Sequence, residues 1–188
     1  RLFASLPSGL FRHLQGIEAD GELSYDFLLD ADFNQLDSLN FSSDLRGHHF
    51  RLRSLGTSDL TRMNDEFEYT AYDGDRPVRT FMIGPSNPSF RSLDRISPLL
   101  QMAVMQSEDG SFFYHQGFYP GAIQEDLAYD LQVGRFARGG SSITMQLVKN
   151  VFLNKHKNIA RKLEEALIVW LIENQHLTSN ERMYEVYL

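Results

Sequence analysis

The strongest constraint on the fold is a change of hydrophobic period part-way along the chain. In "GELSYDFLLD", Leu23, Tyr25, Phe27 and Leu29 alternate with mostly polar neighbours, the two-residue period of a strand with one buried face. Phe50 and Leu52 alternate with Arg51 and Arg53 in the same way. "EFEYTAYDGDRPVRTFMIG" sets two more strand-like runs around Asp73-Gly74-Asp75, a hairpin signal. Pro85 and Pro88 in "GPSNPSF" then break the pattern. Beyond that break Ile96, Leu99, Leu100, Ala103 and Val104 recur at three- and four-residue spacing up to Glu108, which predicts an amphipathic helix. "SSITMQLVKNVFL" predicts a second, with Ser141 or Ser142 able to cap its free amides. "NIARKLEEALIVWLIENQ", Asn158 to Gln175, predicts a third, and a last one starts near Ser179 or Asn180. The expected fold class is α+β, with a β-rich module over residues 1–94 and a helical part over residues 95–188.

Charge divides the chain as sharply as periodicity does. The net charge of −7 argues against a general nucleic-acid binder. Within that average, residues 135–162 hold Arg135, Arg138, Lys149, Lys155, Lys157, Arg161 and Lys162 and no Asp or Glu. Such a run is ordinarily a solvated helix face. Here it is embedded among Gly, Ser and Thr, which points to an anionic ligand, phosphate first. The absence of cysteine removes disulfides, thiol nucleophiles and Cys-based zinc sites. No apolar run is long enough to span a bilayer and no leader peptide is visible. A start at Arg1 reads as a segment of a longer chain.

Three stretches carry candidate chemistry. Glu108 closes an apolar helix, with Asp109, His115 and several aromatic residues close by. A carboxylate beside apolar groups has its charged form disfavoured, which suits a general base, although an acidic pair at a helix end is more often a capping feature. In "GGSSITMQLVKN", glycines, hydroxyls and Lys149 could present amides and a positive charge to phosphate oxygens, or could form a plain capped helix start. It is not the Gly-rich nucleotide-binding loop, because the required GxxxxGK[ST] spacing is absent. Arg161 and Glu165 lie four residues apart on one helix face, the pattern of an ordinary surface ion pair. His48 and His49 have no third ligand at a metal-binding spacing.

In this order and spacing, these stretches resemble the family 51 glycosyltransferases, the peptidoglycan polymerases of penicillin-binding proteins and their monofunctional relatives. The first family motif, E-D-x-x-F-x-x-H-x-G, is matched by Glu108, Asp109, Phe112, His115 and Gly117. The second is matched by Gly139, Ser141, Ser142, Ile143, Thr144, Gln146, Leu147, Lys149 and Asn150, and the third, R-K-x-x-E, by Arg161, Lys162 and Glu165. "ERMYEVYL" resembles the start of a fourth, and the likeness covers Ile96 to Leu188. Tyr119 and Met145 depart from the family pattern, and the chain stops inside the fourth motif.

The resemblance implies a lysozyme-like helical fold that polymerises lipid II into glycan strands with release of undecaprenyl diphosphate. Glu108 would be the general base and Glu165 would assist at the donor side. Asp109, His115, Ser141, Ser142, Thr144, Gln146, Lys149, Asn150, Arg161 and Lys162 would bind substrate or its diphosphate. No cofactor is required, and a divalent cation, Mg or Mn, near Glu165 is the one the resemblance leaves open. Implied partners are lipid II, the growing strand, the membrane surface and other cell-wall synthesis proteins, at the outer face of the cytoplasmic membrane. A catalytically silent lipid II-binding relative, or an envelope scaffold built on residues 1–94, is the alternative.

Overall fold

A computed structural model describes residues 2–35, 38–118, 120–134, 141–153 and 159–188. Arg135, Arg138, Gly139, Lys155 and Lys157 of the basic segment, and Tyr119, lie outside the described residues. The architecture is α+β. A four-residue helix, α1 (Leu2–Ser5), precedes two antiparallel hairpins, β1 (Ile17–Asp30) with β2 (Asn40–Leu55) and β3 (Phe67–Asp73) with β4 (Arg76–Ile83). Helices α2 (Pro98–Glu108), α3 (Pro120–Val133), α4 (Ile143–Val151), α5 (Ile159–Asn174) and α6 (Asn180–Tyr187) follow.

The strand alternation is realised as a register that sets Tyr25 opposite Leu45 and Leu29 opposite Phe41, so the apolar side chains of β1 and β2 share one face. A bulge interrupts the pairing between Asp20 and Glu22. There Gly21 takes φ 102°, and a Cβ at this position would lie 2.6 Å from the His49 carbonyl oxygen, so the close approach requires glycine. The histidine pair belongs to this bulge: His49 has φ 51°, and His48 Nε2 lies 3.2 Å from Ser24 Oγ. In the second hairpin Gly74 supplies φ 59° at the first turn position, which matches the twist of the flanking strands.

Helix starts follow capping chemistry. Ser142 Oγ accepts from the Met145 amide and Ser179 Oγ from the Arg182 amide, satisfying donors that a helix N-terminus leaves free. Helix α3 has no counterpart in the periodicity reading. Its sequence, PGAIQEDLAYDLQV, lacks a continuous apolar stripe, and part of what holds it is tertiary: Gln124 Oε1 accepts from the Phe41 amide at 3.2 Å. Helix α2 departs from expectation differently, because none of its residues is buried and Leu99, Leu100 and Met102 are exposed. No described element covers that face.

Helix α5 is the centre of the molecule. Ile168, Val169, Leu171 and Ile172 are fully buried, each long side chain adding about 1.5–3 kcal/mol of hydrophobic stabilisation. One core cluster runs from Phe3, Phe11 and Ile17 through Phe67 to Met183 and Tyr184, so the strands and helices are not separately cored. Trp170 joins them directly: its ring packs edge-on against Phe50 at 4.9 Å and its Nε1–H donates to the Leu45 carbonyl at 2.9 Å. The His13 amide donates to buried Glu164 at 2.6 Å, and Arg182 donates to the carbonyls of Met63 and Asp65. No helix among the described residues is long and apolar enough to cross a membrane.

Candidate active site

The first and second motifs are locked together by one carboxylate. Asp109, just past the end of α2, turns inward and takes His115 Nε2 at 2.8 Å and 2.9 Å on its two oxygens. Its Oδ2 also accepts from the Ile143 amide at 3.1 Å, placing negative charge at the start of α4 where the helix dipole favours it. Both side chains are almost fully enclosed, at 5% and 7% exposure. Ser142 Oγ donates to the Gly117 carbonyl and Thr144 Oγ1 donates to Glu173 Oε1 at 2.6 Å. The expected direct contact of Asp109, His115, Ser142 and Thr144 with a diphosphate does not fit these positions: all four are enclosed, and the α4 amides of Ile143 and Met145 already have side-chain acceptors. They build the scaffold on which the exposed residues stand.

Gly117 shows how tightly that scaffold is closed. It has φ 78°, and a Cβ there would meet Val169 Cγ1 at 2.5 Å and Glu173 Cγ at 2.9 Å. Only glycine lets the first motif lie against α5. Phe112 is buried against Tyr184, with ring centroids 5.8 Å apart, as a core residue, whereas Tyr114 is 90% exposed.

Glu108 is exposed at the last turn of α2, and its partner is polar. Gln146 Nε2 donates to Glu108 Oε2 at 3.1 Å, and Tyr187 Oη–H donates to Gln146 Oε1 at 3.1 Å. The apolar setting expected around Glu108 is therefore replaced by a chain of hydrogen bonds running from α6 through α4 to α2. Burial, followed by the nearby Glu108 carboxylate, pushes the Tyr187 phenol up to about 12, so it remains a neutral donor throughout the physiological range. Tyr187 was missed as a site residue in the sequence; its place in "MYEVYL", the start of the fourth motif, was the available signal. Lys149 and Asn150 are exposed on α4. Lys149 follows Gln146 by three residues and so stands on the same side of the helix. Ser141, half-buried, receives a long contact from Gln146 at 3.4 Å through its carbonyl.

Glu165 belongs to a different setting. It is 1% exposed, and Lys162 reaches it with Nζ 2.6 Å from Oε1. Its Oε2 is enclosed without a hydrogen-bond partner among the described residues. The α5 carboxylate that touches the second motif is instead Glu173, eight residues or about 12 Å further along the helix. Burial raises the Glu173 pKa, against the lowering effects of the Thr144 hydrogen bond and of His115. Sequence reading absorbed Glu173 into the apolar run, where a lone carboxylate after "ALIVWLI" was the only sign. No group of three or more His, Asp or Glu side chains capable of holding a metal occurs among the described residues. A single carboxylate already paired with an ammonium does not make a donor set for Mg or Mn.

The family model described as transglycosylase matches residues 75–188, reaching back to the second hairpin. The biosynthetic peptidoglycan transglycosylase of Dechloromonas aromatica (strain RCB) is 44% identical over 95 residues, which is 50% of this chain and 40% of that protein. The protein of the same name from Chromobacterium violaceum is 43% identical over 95 residues, 50% of this chain and 41% of that protein. The one from Acinetobacter baylyi is 38% identical over 104 residues, 55% of this chain and 46% of that protein. The chain thus covers less than half the length of these curated relatives.

Proposed function

Because the chain belongs to the transglycosylase family, whose model matches residues 75–188, we propose that it carries the catalytic edge of a peptidoglycan glycosyltransferase acting on lipid II. The observation that carries this reading is Glu108, exposed at a helix end and held by Gln146, with exposed Lys149 three residues further along the same helix. An aimed, solvent-facing carboxylate beside a lysine is the equipment for a displacement in which a proton leaves one oxygen while negative charge builds on another.

In the proposed step the 4-hydroxyl oxygen of an incoming lipid II attacks the anomeric carbon of the lipid-linked strand. The new C–O bond forms as the bond from that carbon to the diphosphate breaks, with inversion. Glu108 takes the hydroxyl proton, and the electron pair departs with undecaprenyl diphosphate. In this reading Lys149 neutralises that charge, Asn150 and Ser141 supply polar contacts from α4 and the residues before it, and Arg161 and Lys162 add positive charge from α5. Glu165, enclosed and bonded to Lys162, is assigned to holding that lysine rather than to touching the sugar. A divalent ion would add charge neutralisation at the diphosphate, but none of these steps is routed through it. A polyprenyl-anchored substrate places the reaction in the cell envelope, at the outer face of the cytoplasmic membrane, where the membrane surface and other wall-synthesis proteins are the expected company.

The test is polymerisation of labelled lipid II by the longest form of the protein that carries residues 1–188. Glu108→Gln is expected to cut glycan formation by about 10²- to 10⁴-fold, the scale of general-base loss. Unchanged polymerisation by Glu108→Gln would remove Glu108 from the mechanism. Lipid II binding with no glycan from the unmutated protein would favour the silent binding relative.

A further inference from the structure

A cavity lies away from Glu108, between the β1–β2 hairpin and α5. It has a volume of about 650 Å³, with Phe11, Phe41, Leu45, Phe118, Leu167 and Trp170 in its wall. Much of that wall comes from residues 6–45, which fall outside the family match. Its size is that of a small-molecule site, and protein interiors do not ordinarily leave so much apolar surface without packing partners.

The chemistry of the wall narrows the occupant. Most polar groups on it are already bonded within the protein: Trp170 Nε1–H to the Leu45 carbonyl, Glu173 to Thr144, Asp44 to Arg46, the Tyr25 hydroxyl to Ser43 Oγ, and Asn174 Oδ1 to Gln175. A peptide laid in this space would bring amides and carbonyls with few partners, at the cost of unpaired polar groups. An anionic head group inside would face the carboxylates of Asp44 and Glu173, with no cationic side chain among the described residues of the wall. A hydrocarbon chain needs neither hydrogen bonds nor countercharge. The apolar face also continues outward: Tyr25 lines the cavity, Phe27 follows with ring centroids 6.2 Å apart, and both are more than half exposed. A chain longer than the cavity would therefore find apolar surface beyond its mouth, with its head group in water.

We propose that the space between the β1–β2 hairpin and α5 is a lipid-tail site, holding a single hydrocarbon chain, acyl or isoprenoid. The site does not depend on the polymerase reading, and its test reads no catalysis. Trp170 is the sole tryptophan of the chain and forms part of the wall, so its fluorescence reports occupancy. The experiment titrates the 188-residue chain below micelle-forming concentrations with stearate dibrominated mid-chain, and separately with a brominated polyprenyl phosphate, because bromine quenches indole only on contact. Saturable quenching by either chain is expected, and the tighter of the two identifies the source as free acyl lipid or polyprenyl carrier. Ala166→Phe, which fills the cavity, and Leu163→Lys, at its exposed edge, should each weaken quenching at least tenfold. Quenching that is linear in probe, or identical in a variant whose circular dichroism matches the parent, overturns the proposal.

Discussion

Tyr187→Phe isolates the hydrogen-bond chain that aims Glu108. The substitution keeps the ring and removes only the hydroxyl that donates to Gln146 Oε1 at 3.1 Å. Gln146 then loses the contact on its Oε1, while its Nε2 still donates to Glu108 at 3.1 Å and, at 3.4 Å, to the Ser141 carbonyl. Because Gln146 is only half-buried, water can replace the phenol, so the loss is the net value of one hydrogen bond, about 0.5–1.5 kcal/mol. If that energy holds Glu108 in its reactive orientation, the rate falls by about 2- to 12-fold at tenfold per 1.36 kcal/mol, in kcat rather than in KM. The assay is lipid II polymerisation under single-turnover conditions, with Tyr187→Phe, Gln146→Ala and the double variant side by side. Members of one chain should not act independently: the double variant should be little worse than Gln146→Ala alone. The phenol, pushed up to about 12, should add no limb to the wild-type pH profile below about pH 10. Fully multiplicative losses, or unchanged kcat in Tyr187→Phe, would refute the coupling.

Three other perturbations test the scaffold. Asp109→Ala removes the acceptor of His115 Nε2 and of the Ile143 amide and should cost about 3–5 kcal/mol by urea unfolding, the scale for breaking a buried pair; a loss below about 1 kcal/mol would show that the pair does not hold the motifs together. Gly117→Ala meets a backbone at φ 78° and Val169 Cγ1 at 2.5 Å, so strain and overpacking together predict about 2–5 kcal/mol of destabilisation, read from the same unfolding curves; an unchanged midpoint would contradict the close approach. Glu173→Gln tests a buried acid. Its folded pKa is raised, so the native state binds more protons than the unfolded one and the wild type loses stability as pH rises from the ordinary carboxylate range through the raised value. The glutamine variant, which keeps an acceptor for Thr144, should gain thermal stability relative to wild type at pH 7.5 and lose that advantage near pH 4; a difference independent of pH would reject the assignment.

Sequence alone made much of the fold legible, and for a physical reason: period-two alternation at Leu23 to Leu29 and serine caps at Ser142 and Ser179 are local signals that survive in the structure. Helix α3 was illegible because what fixes it includes a bond from Gln124 to a strand 83 residues away. The motif residues were visible, but their exposure was not. Spacing cannot tell that Ser142 and Thr144 face inward while Gln146 and Lys149 reach the surface. That division depends on Gly117 and Glu173, which spacing treats as unrelated. Glu165 and Glu173 look alike as acids in α5, yet only the fold shows that one meets Lys162 and the other Thr144.

The bond from Trp170 to Leu45 spans 125 residues of chain, and its consequence is temporal. During synthesis the β1–β2 hairpin emerges well before the helix that covers it, by about 6–25 s at ordinary translation rates. For that interval Leu45 and Phe50 lack the Trp170 ring that later packs on them, on strands whose edges could pair with a neighbouring nascent chain. The acidic residues of β1 that no arginine pairs within the hairpin, Glu18, Glu22, Asp26 and Asp30, put like charge along it, the kind of guard that disfavours such pairing. Neutralising them should leave the finished protein almost untouched while lowering the yield of soluble chains from a ribosome.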